Sequence, residues 1–277
     1  MTSEANPYDI RNLLTPRWII TTLLVVAAVA VMARLGIWQL DRLAQRRALN
    51  AKVEAQISAP PLVLSDALAH GLPPNDLLQM EYRQVRLTGT YDPANQIVLR
   101  NQVSGNLPGY HLITPLKLQG VSQSVLVDRG FIPLSDKTPA DWAKYDQPGP
   151  VTVSGVIRLG HVPQFFGVAD PALAPGQTRL DVWTNLNLPR IQSQTPYPLL
   201  PVTVQAAPAS STIPPTGGSG DPATAPVYPI AALDQPDLSE GPHMGYAIQW
   251  FAFAATLALG YPYFVRKQLR DQARSGR

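Results

Sequence analysis

The chain has 277 residues, a formal net charge of +3 and no cysteine. The lack of cysteine excludes disulfides, thiolate metal sites and cysteine nucleophiles. The positive excess lies in the flanks of two apolar segments, whereas the middle of the chain is slightly acidic. A nucleic-acid partner is therefore not expected, and the lipid bilayer with its anionic headgroups is the natural partner of the basic flanks.

The first apolar segment runs from Trp18 to Ala33 and resumes after Arg34 as far as Leu40. If the Arg34 side chain extends to the interface, a helix through this region is long enough to cross a bilayer. We therefore place the first transmembrane helix at residues 18–38. The alternative is a secretory signal peptide cleaved after Ala28-Val29-Ala30. The renewed apolar run beyond Arg34 favours a retained helix.

The second apolar segment, Tyr246 to Val265, contains no charged side chain. Its length matches the ~20 residues that a membrane-spanning helix needs, and we place the second transmembrane helix at residues 243–265. Basic residues dominate the tail 266–277, namely Arg266, Lys267, Arg270, Arg274 and Arg277. By the positive-inside rule, both this tail and the N-terminal segment 1–17 are expected in the cytoplasm, with the middle of the chain outside.

The middle of the chain, residues 39–195, is predicted to form an extracytoplasmic β-rich domain. A polar helix over Gln39–Gln56 is expected first. The pattern then changes to a period of two over Arg83–Tyr91, and the turn at residues 92–95 predicts a hairpin with a returning strand at Gln96–Arg100. Further strands are expected at Tyr110–Leu118, Ser124–Phe131, Val151–Arg158 and Arg179–Leu186, with a candidate last strand at Val202–Gln205.

This density of strands predicts an antiparallel sheet, either a small closed barrel or a sandwich, in which Pro115 lies at an edge or a bulge. The fold class is therefore an α+β membrane protein with two transmembrane helices that flank the β domain. Residues 196–242 are rich in Pro, Gly, Ser and Thr, and we interpret them as a flexible insertion with a return segment.

Motifs of common enzyme classes are absent from the sequence. The histidines have no i, i+3 or i, i+4 spacing, and there is no phosphate loop, dinucleotide fingerprint or nucleophile elbow. The pair Asp128-Arg129 is either catalytic or, as is more common at the end of a strand, an ion pair. The chain is therefore not expected to be an enzyme. The histidines are His70, His111, His161 and His243.

His243 differs from the other histidines because it lies three residues before the second apolar segment. On a helix, Tyr246 and Trp250 fall on the same stripe as this imidazole. Such a histidine at a membrane surface is suited to ligate the iron of a lipophilic haem. The alternative is an interfacial belt, because His, Tyr and Trp all favour that depth for other reasons.

Five blocks of the chain, in order, resemble the surfeit locus protein family, whose members are assembly factors for cytochrome c oxidase. The first block contains Leu35-Gly36-Ile37-Trp38-Gln39-Leu40-Asp41-Arg42, which is similar to the family's Leu-Gly-x-Trp-Gln-x-x-Arg motif. The chain departs from the family where Gly241-Pro242 stands in place of an Asn before the histidine. The other blocks are Tyr82–Gly89, Gly109–Leu116, Val125–Pro133 and His243–Phe251.

The resemblance implies an assembly factor on the outer face of a bacterial plasma membrane. It would receive or stabilise haem a for the catalytic subunit of a haem-copper oxidase, with that subunit and the haem a synthase as partners. His243 is then the candidate ligand of the haem iron, and Tyr246 and Trp250 would pack on the macrocycle. A cluster after the first helix would face the haem, and its guanidinium would pair with a propionate. This cluster consists of Gly36, Trp38, Gln39 and Arg42.

Two other functions stay open at this point. The first is a cofactor-free scaffold that holds oxidase subunits through its helices and its outer sheet. The second is a membrane-tethered enzyme, which would require Asp128, Arg129 and His111 to meet in one concave pocket.

Overall fold

The computed structural model describes residues 15–160, 169–173, 175–208 and 227–275, with side chains as far as residue 271 in the last range. His161, Arg277 and the centre of the Pro/Gly-rich insertion lie outside the described residues. The chain forms two compact units. Met1–Lys52 and Asp237–Arg277 belong to the helical unit, and Val53–Pro236 forms the β unit.

The helical unit is built on helix α1, Pro16–Ser58, which has 43 residues. This one continuous helix joins the predicted transmembrane helix to the predicted polar helix. At 1.5 Å per residue it is about 65 Å long, roughly twice the thickness of a hydrocarbon core. It ends before Pro60-Pro61 because proline lacks an N–H group and disfavours helical geometry in the residue before it.

Helix α5, His243–Ser275, has 33 residues and contains Pro262. It runs antiparallel to α1, as contacts at both ends show. The rings of Trp18 and Phe264 lie 6.5 Å apart near the start of α1. Gln39 lies just beyond the apolar part of α1, and it contacts His243 at the start of α5.

Both helices are long and apolar enough to cross a membrane. Only 6% of the most apolar 18-residue stretch of each helix is buried within the protein. The core helix of a water-soluble domain would bury most of such a stretch. An apolar surface of this extent indicates contact with lipid or with another protein.

The β unit contains one eight-stranded sheet. Short helices connect its strands: α2 (Leu64–Ala69), α3 (Pro139–Trp142) and α4 (Leu188–Ser193). The strands are β1 (Leu62–Val63), β2 (Gln84–Tyr91), β3 (Ile97–Ser104), β4 (Leu107–Leu118), β5 (Ser124–Pro133), β6 (Pro150–Leu159), β7 (Val182–Trp183) and β8 (Leu199–Ala206).

Five of these strands close into a small barrel. Of the two architectures that the sequence left open, a closed barrel and a sandwich, the structure therefore shows the barrel. The ring runs β2–β6–β8–β5–β4 and returns to β2, because β4 pairs with β2 through Gly89 and Leu118. The end of β2 thus bonds to one end of β4, while β3 pairs with the other end of β4. Closure removes the free edges that an open sheet would expose.

The sheet is mixed, and the prediction of a wholly antiparallel sheet was wrong. Strand β8 runs parallel to β5, and the short strands β1 and β7 run parallel to β2 and β3. Parallel neighbours require a crossover connection rather than a tight turn. Between β5 and β8 that connection includes β6, β7 and α4, and β8 fills the gap that closes the barrel.

The predicted hairpin of β2 with β3 was also wrong, because β3 pairs with β4 and β7 instead. A 3-10 turn at Pro93–Asn95 redirects the chain, and the N–H of Asp92 donates to the carbonyl of Pro115. Pro115 lies inside β4, where the neighbouring strand changes from β3 to β2. Its missing N–H therefore faces this gap and costs no ladder hydrogen bond.

Three apolar clusters stabilise the β unit. The largest fills the barrel and includes Leu87, Leu116 and Val204. The other two cover opposite faces of the β3–β4 pair, because neighbouring residues such as Leu112 and Ile113 belong to different clusters. Strands covered on both faces lose the alternating pattern, which explains the almost continuous apolar run in β4 and β5.

Candidate functional site

The two helices bring His243 and Gln39 together. His243 is the first residue of α5, and Gln39 lies on α1 just beyond the apolar part of that helix. The Nδ1 atom of the imidazole lies 2.9 Å from Oε1 of Gln39. These two residues are far apart in the sequence. His243 was singled out by its position before the second apolar segment, and Gln39 was singled out by the resemblance to the surfeit locus protein family.

This contact decides which nitrogen of His243 is available. An amide oxygen only accepts hydrogen bonds, so Nδ1 carries the proton and donates it to Oε1. In the neutral ring, Nε2 then keeps its lone pair, and it has no hydrogen-bond partner among the described residues. Metal-binding histidines show the same arrangement, with one nitrogen fixed by an oxygen acceptor and the other free to ligate.

His243 lies on a face of α5 that includes small apolar side chains. Ala247 and Ala254 are almost fully buried, and they lie one and three turns further along the same face. Trp250 lies on this stripe, with its ring 6.2 Å from that of Phe253 in an edge-on arrangement. Tyr246 lies on the flank and is 49% exposed. The predicted stripe is thus formed, but Tyr246 projects away from the helix pair.

Arg42 and Trp38 form a separate contact on α1. The guanidinium lies 5.5 Å from the centre of the indole ring, and Nη1 donates to Oε1 of Gln45 at 3.1 Å. Both side chains are exposed. They do not contact His243, so the structure places the predicted cluster on one helix without joining all of its members.

Gly36 allows the two helices to approach closely at this level. It is buried, and a Cβ atom on it would lie 2.8 Å from the ring of Phe251. A small residue at a helix crossing is typical of membrane helix pairs, where packing rather than the hydrophobic effect drives association. The glycine therefore helps to set the separation at which Gln39 reaches His243.

An ion pair fixes the chain just before His243. Nε and Nη2 of Arg47 donate to the two carboxylate oxygens of Glu240 at 2.7 and 2.8 Å. The hydrogen bond from Arg47 lowers the pKa of Glu240 below its ordinary value. A two-point contact of this kind restricts geometry more strongly than a single contact between exposed charges.

Two further side chains of α1 bind the backbone of the same segment. Arg46 donates to the carbonyls of Ser239 at 3.0 Å and Asp237 at 2.6 Å. Asn50 donates to the carbonyl of Leu238 at 2.5 Å. We refer to Arg46, Arg47, Asn50 and residues 237–240 as the clamp. The clamp directs the chain onto α1, so that α5 begins with His243 opposite Gln39.

The clamp was not predicted from the sequence. Its signal is a pair of arginines at 46–47 and a pair of acids at 237 and 240, which have complementary charge. Nearly two hundred residues separate the two pairs, and no local pattern connects them.

A second polar cluster lies in the β unit. Nδ1 of His111 is 2.8 Å from Oδ2 of Asp128, and Oδ1 of Asp128 accepts from the N–H of Gly130 at 2.9 Å. Burial lowers the pKa of His111, but the hydrogen bond and charge of Asp128, aided by the charge of Asp234, outweigh this effect and raise it. Asp128 and Asp234 therefore favour the charged form of the imidazole.

Arg129 points to the opposite face of β5 from Asp128, as alternation along a strand requires. It is 6% exposed, Nη2 donates to the carbonyl of Tyr145 at 2.5 Å, and the guanidinium lies 4.7 Å from the ring centre of Tyr91. Burial lowers its pKa. The predicted ion pair with Asp128 is therefore wrong, and the pocket that an enzyme would need is not formed by these residues.

Groups of three or more His, Cys, Asp or Glu side chains able to hold a metal ion are not found in the part of the chain that the structure describes. His70 uses Nδ1 to contact the carbonyl of Asp66 at 2.7 Å. Nε2 of His243 is thus a histidine nitrogen without a hydrogen-bond partner among the described residues.

Comparison with known proteins identifies the family of the chain. The SURF1 family profile matches residues 26–255, which include a portion of each segment of the helical unit and the whole β unit. A SURF1-like protein of Monosiga brevicollis is 30% identical over 236 residues, which cover 81% of this chain and 80% of that protein.

Other relatives come from bacteria and animals. A SURF1-like protein of Rickettsia conorii is 24% identical over 251 residues, with 90% of this chain and 92% of that protein covered. Surfeit locus protein 1 of Mus musculus is 27% identical over 139 residues, which cover 45% of this chain and 44% of the mouse protein. The chain belongs to the SURF1 family.

Proposed function

We propose that this protein is a membrane-anchored assembly factor for cytochrome c oxidase that receives or stabilises haem a at His243. The SURF1 family is known generally for cytochrome oxidase assembly factors, and membership in that family supports the first part. The observation that carries the second part is the contact of His243 with Gln39, which leaves Nε2 free.

The membrane anchor consists of α1 and α5. Their apolar stretches are exposed along almost their whole length, and a bilayer would cover this surface. The basic residues that follow Val265 favour a cytoplasmic position for that end of α5. The β unit then lies on the outer face of a bacterial plasma membrane.

His243 would ligate the haem iron through Nε2, and Gln39 would hold the ring in the required tautomer. Haem a, when bound, supplies the iron and a planar macrocycle with two propionates. Tyr246 and Trp250 offer aromatic surface beside His243, and the exposed guanidinium of Arg42 offers a partner for a propionate. The recipient is the catalytic subunit of a haem-copper oxidase, and the haem a synthase is the natural donor.

A cofactor-free scaffold is the second candidate function. The exposed apolar faces of α1 and α5 favour it, because helices of oxidase subunits would pack against such faces as well as lipid does. The scaffold needs no role for Nε2 of His243. The two functions are therefore distinguished by whether the protein holds haem.

The experiment compares optical spectra of the full-length protein, purified in detergent from cells that make haem a. We expect a haem a spectrum in the wild type and its loss in His243→Ala. Gln39→Leu removes the acceptor but keeps the size of the side chain, so about tenfold weaker haem retention is expected. His70→Ala is the matched control, because this exposed histidine already uses its Nδ1 within its own helix.

Circular dichroism of each variant shows whether the loss of haem has a structural cause. A colourless wild type would favour the scaffold. Haem that persists in a folded His243→Ala protein would show that another residue holds the iron.

A further inference from the structure

A cavity of about 690 Å³ lies between α1 and α5, away from His243. One wall consists of Val25, Val26 and Val29 on α1, and the opposite wall includes Ala258 and Leu269 on α5. Its volume is in the range of sites that hold small molecules. Most of the residues that line it are apolar, so the ligand must present an apolar chain to them.

The cavity exists because the helices touch along only one flank at this end. Thr22 and Tyr261 share a hydrogen bond of 2.7 Å, and the rings of Trp18 and Phe264 are in contact. Beside these contacts, short side chains on both helices face each other. Pro262 adds no long side chain to fill the space, and it removes one N–H from the helix ladder.

Charge is confined to one end of the cavity. Arg266 is the charged member of the residues that line it, and it follows directly after the apolar run of α5. Lys267 follows Arg266 in the sequence but does not line the cavity. Guanidinium groups bind phosphate with two parallel hydrogen bonds, and basic pockets between membrane helices on the cytoplasmic side bind anionic headgroups.

We propose that this cavity binds one anionic phospholipid, with an acyl chain along the valine face and the phosphate at Arg266. The shape and the charge of the site select this occupant together. A neutral isoprenoid would fill the aliphatic part but leave the guanidinium without a partner. A transmembrane helix of another protein would require a wider opening than this one. That helix would also have to carry an acidic side chain at the depth of Arg266.

The inference rests on the membrane placement of the helices and does not depend on the haem site. The site lies at the end of the helix pair opposite to His243 and Gln39. Lipid at this position would hold the two helices together where few direct contacts join them.

The test measures lipid bound to the full-length protein by native mass spectrometry, after exchange into micelles that contain phosphatidylglycerol or phosphatidylcholine. We expect one tightly bound phosphatidylglycerol in the wild type and a clear preference over phosphatidylcholine. Arg266→Gln should weaken this preference about fivefold, as expected for one basic residue near a lipid surface. Val26→Trp fills the apolar part and should reduce the binding of both lipids.

Lys267→Gln is the matched control, because it removes the same charge one residue away without altering the lining of the cavity. Equal weakening by Lys267→Gln and Arg266→Gln would indicate a diffuse surface effect and overturn the site. Lipid binding by the wild type without any preference for phosphatidylglycerol would overturn the inference alone. A wild type that stays soluble without detergent and binds neither lipid would overturn the membrane placement and this inference together.

Discussion

At the residue scale, His111 is a half-buried group whose protonation is coupled to contacts within the β unit. Its imidazole bonds to Asp128 on the neighbouring strand, and Asp234 in the return segment adds a second negative charge. The N–H of Asp234 donates to Gln205, which pairs with Asp128 across β5 and β8. The imidazole thus lies where β4, β5 and the return segment meet.

The pKa of His111 is raised in the folded protein, so its contribution to stability has a defined pH dependence. The contribution is complete below the ordinary histidine pKa of about 6.5 and is lost as the pH rises through the raised folded value. We expect the melting temperature to fall as the pH rises above about 6.5. Differential scanning fluorimetry of the full-length protein in detergent measures this dependence.

His111→Gln should remove most of this pH dependence, because glutamine cannot take up the proton. His70→Gln is the control, and it should retain the slope of the wild type. A midpoint that falls equally steeply in His111→Gln would assign the titration to another group.

At the element scale, the approach of α1 to α5 depends on a single glycine. Gly36 belongs to a stripe with Gln39, Leu43 and the clamp residues, which recur at intervals of three or four along one face of α1. This stripe receives α5 and the segment before it. Its pattern is weak in the sequence because Gly, Gln and Arg do not mark a hydrophobic face.

We expect Gly36→Val to destabilise the helix pair by about 1–3 kcal/mol, because the added side chain collides with the ring of Phe251. Gly36→Val combined with Phe251→Ala should recover part of this loss. Gly260→Val is the control, since its Cβ meets no atom within 4 Å. Chemical denaturation in detergent, followed by tryptophan fluorescence, gives the free energies of unfolding.

Equal destabilisation by Gly36→Val and Gly260→Val would show that the effect belongs to the helix backbone. Lack of any recovery in the double variant would show that Phe251 is not the obstacle.

The strands illustrate how far the sequence leads at this scale. Alternation and turn residues predicted β2, β4, β5 and β6 within a few residues of their observed bounds. Their partners were not predicted, because pairing depends on contacts between distant segments. The turn after β2 has the composition of a hairpin turn, yet Asp92 bonds to Pro115 and β3 continues to another partner. The strand at Arg179–Leu186 shortens to Val182–Trp183.

For the candidate site, too, the sequence predicted local features but not the contacts between distant segments. The apolar segments and the position of His243 predicted that a histidine lies at one end of a helix pair. The tautomer and the role of Gln39 required the structure, because they depend on the rotation of α1 relative to α5 about their axes. The clamp that fixes this rotation joins residues from the two ends of the chain.

At the scale of the whole molecule, charge is distributed unevenly along the chain. Basic residues follow the apolar part of α5, and the described part of the β unit is mixed in charge. Arg42, Arg46 and Arg47 oppose this asymmetry because they would lie on the outer side. Two of them are engaged in the clamp with Asp237 and Glu240, which reduces their net charge at the outer surface.

The proposed topology predicts a defined pattern of labelling. Because the chain has no cysteine, single introduced cysteines report their own position without background. Val103→Cys lies in the β3–β4 hairpin at a position that is 65% exposed, and Lys267→Cys lies just beyond the apolar run of α5. In intact spheroplasts, an impermeant maleimide should label Val103→Cys at once and Lys267→Cys only after the membrane is permeabilised.

An N-terminal tag should remain on the labelled protein, because a cleaved signal peptide would remove it. Labelling of Lys267→Cys in intact spheroplasts would reverse the topology, and His243 would then lie on the cytoplasmic side with the β unit.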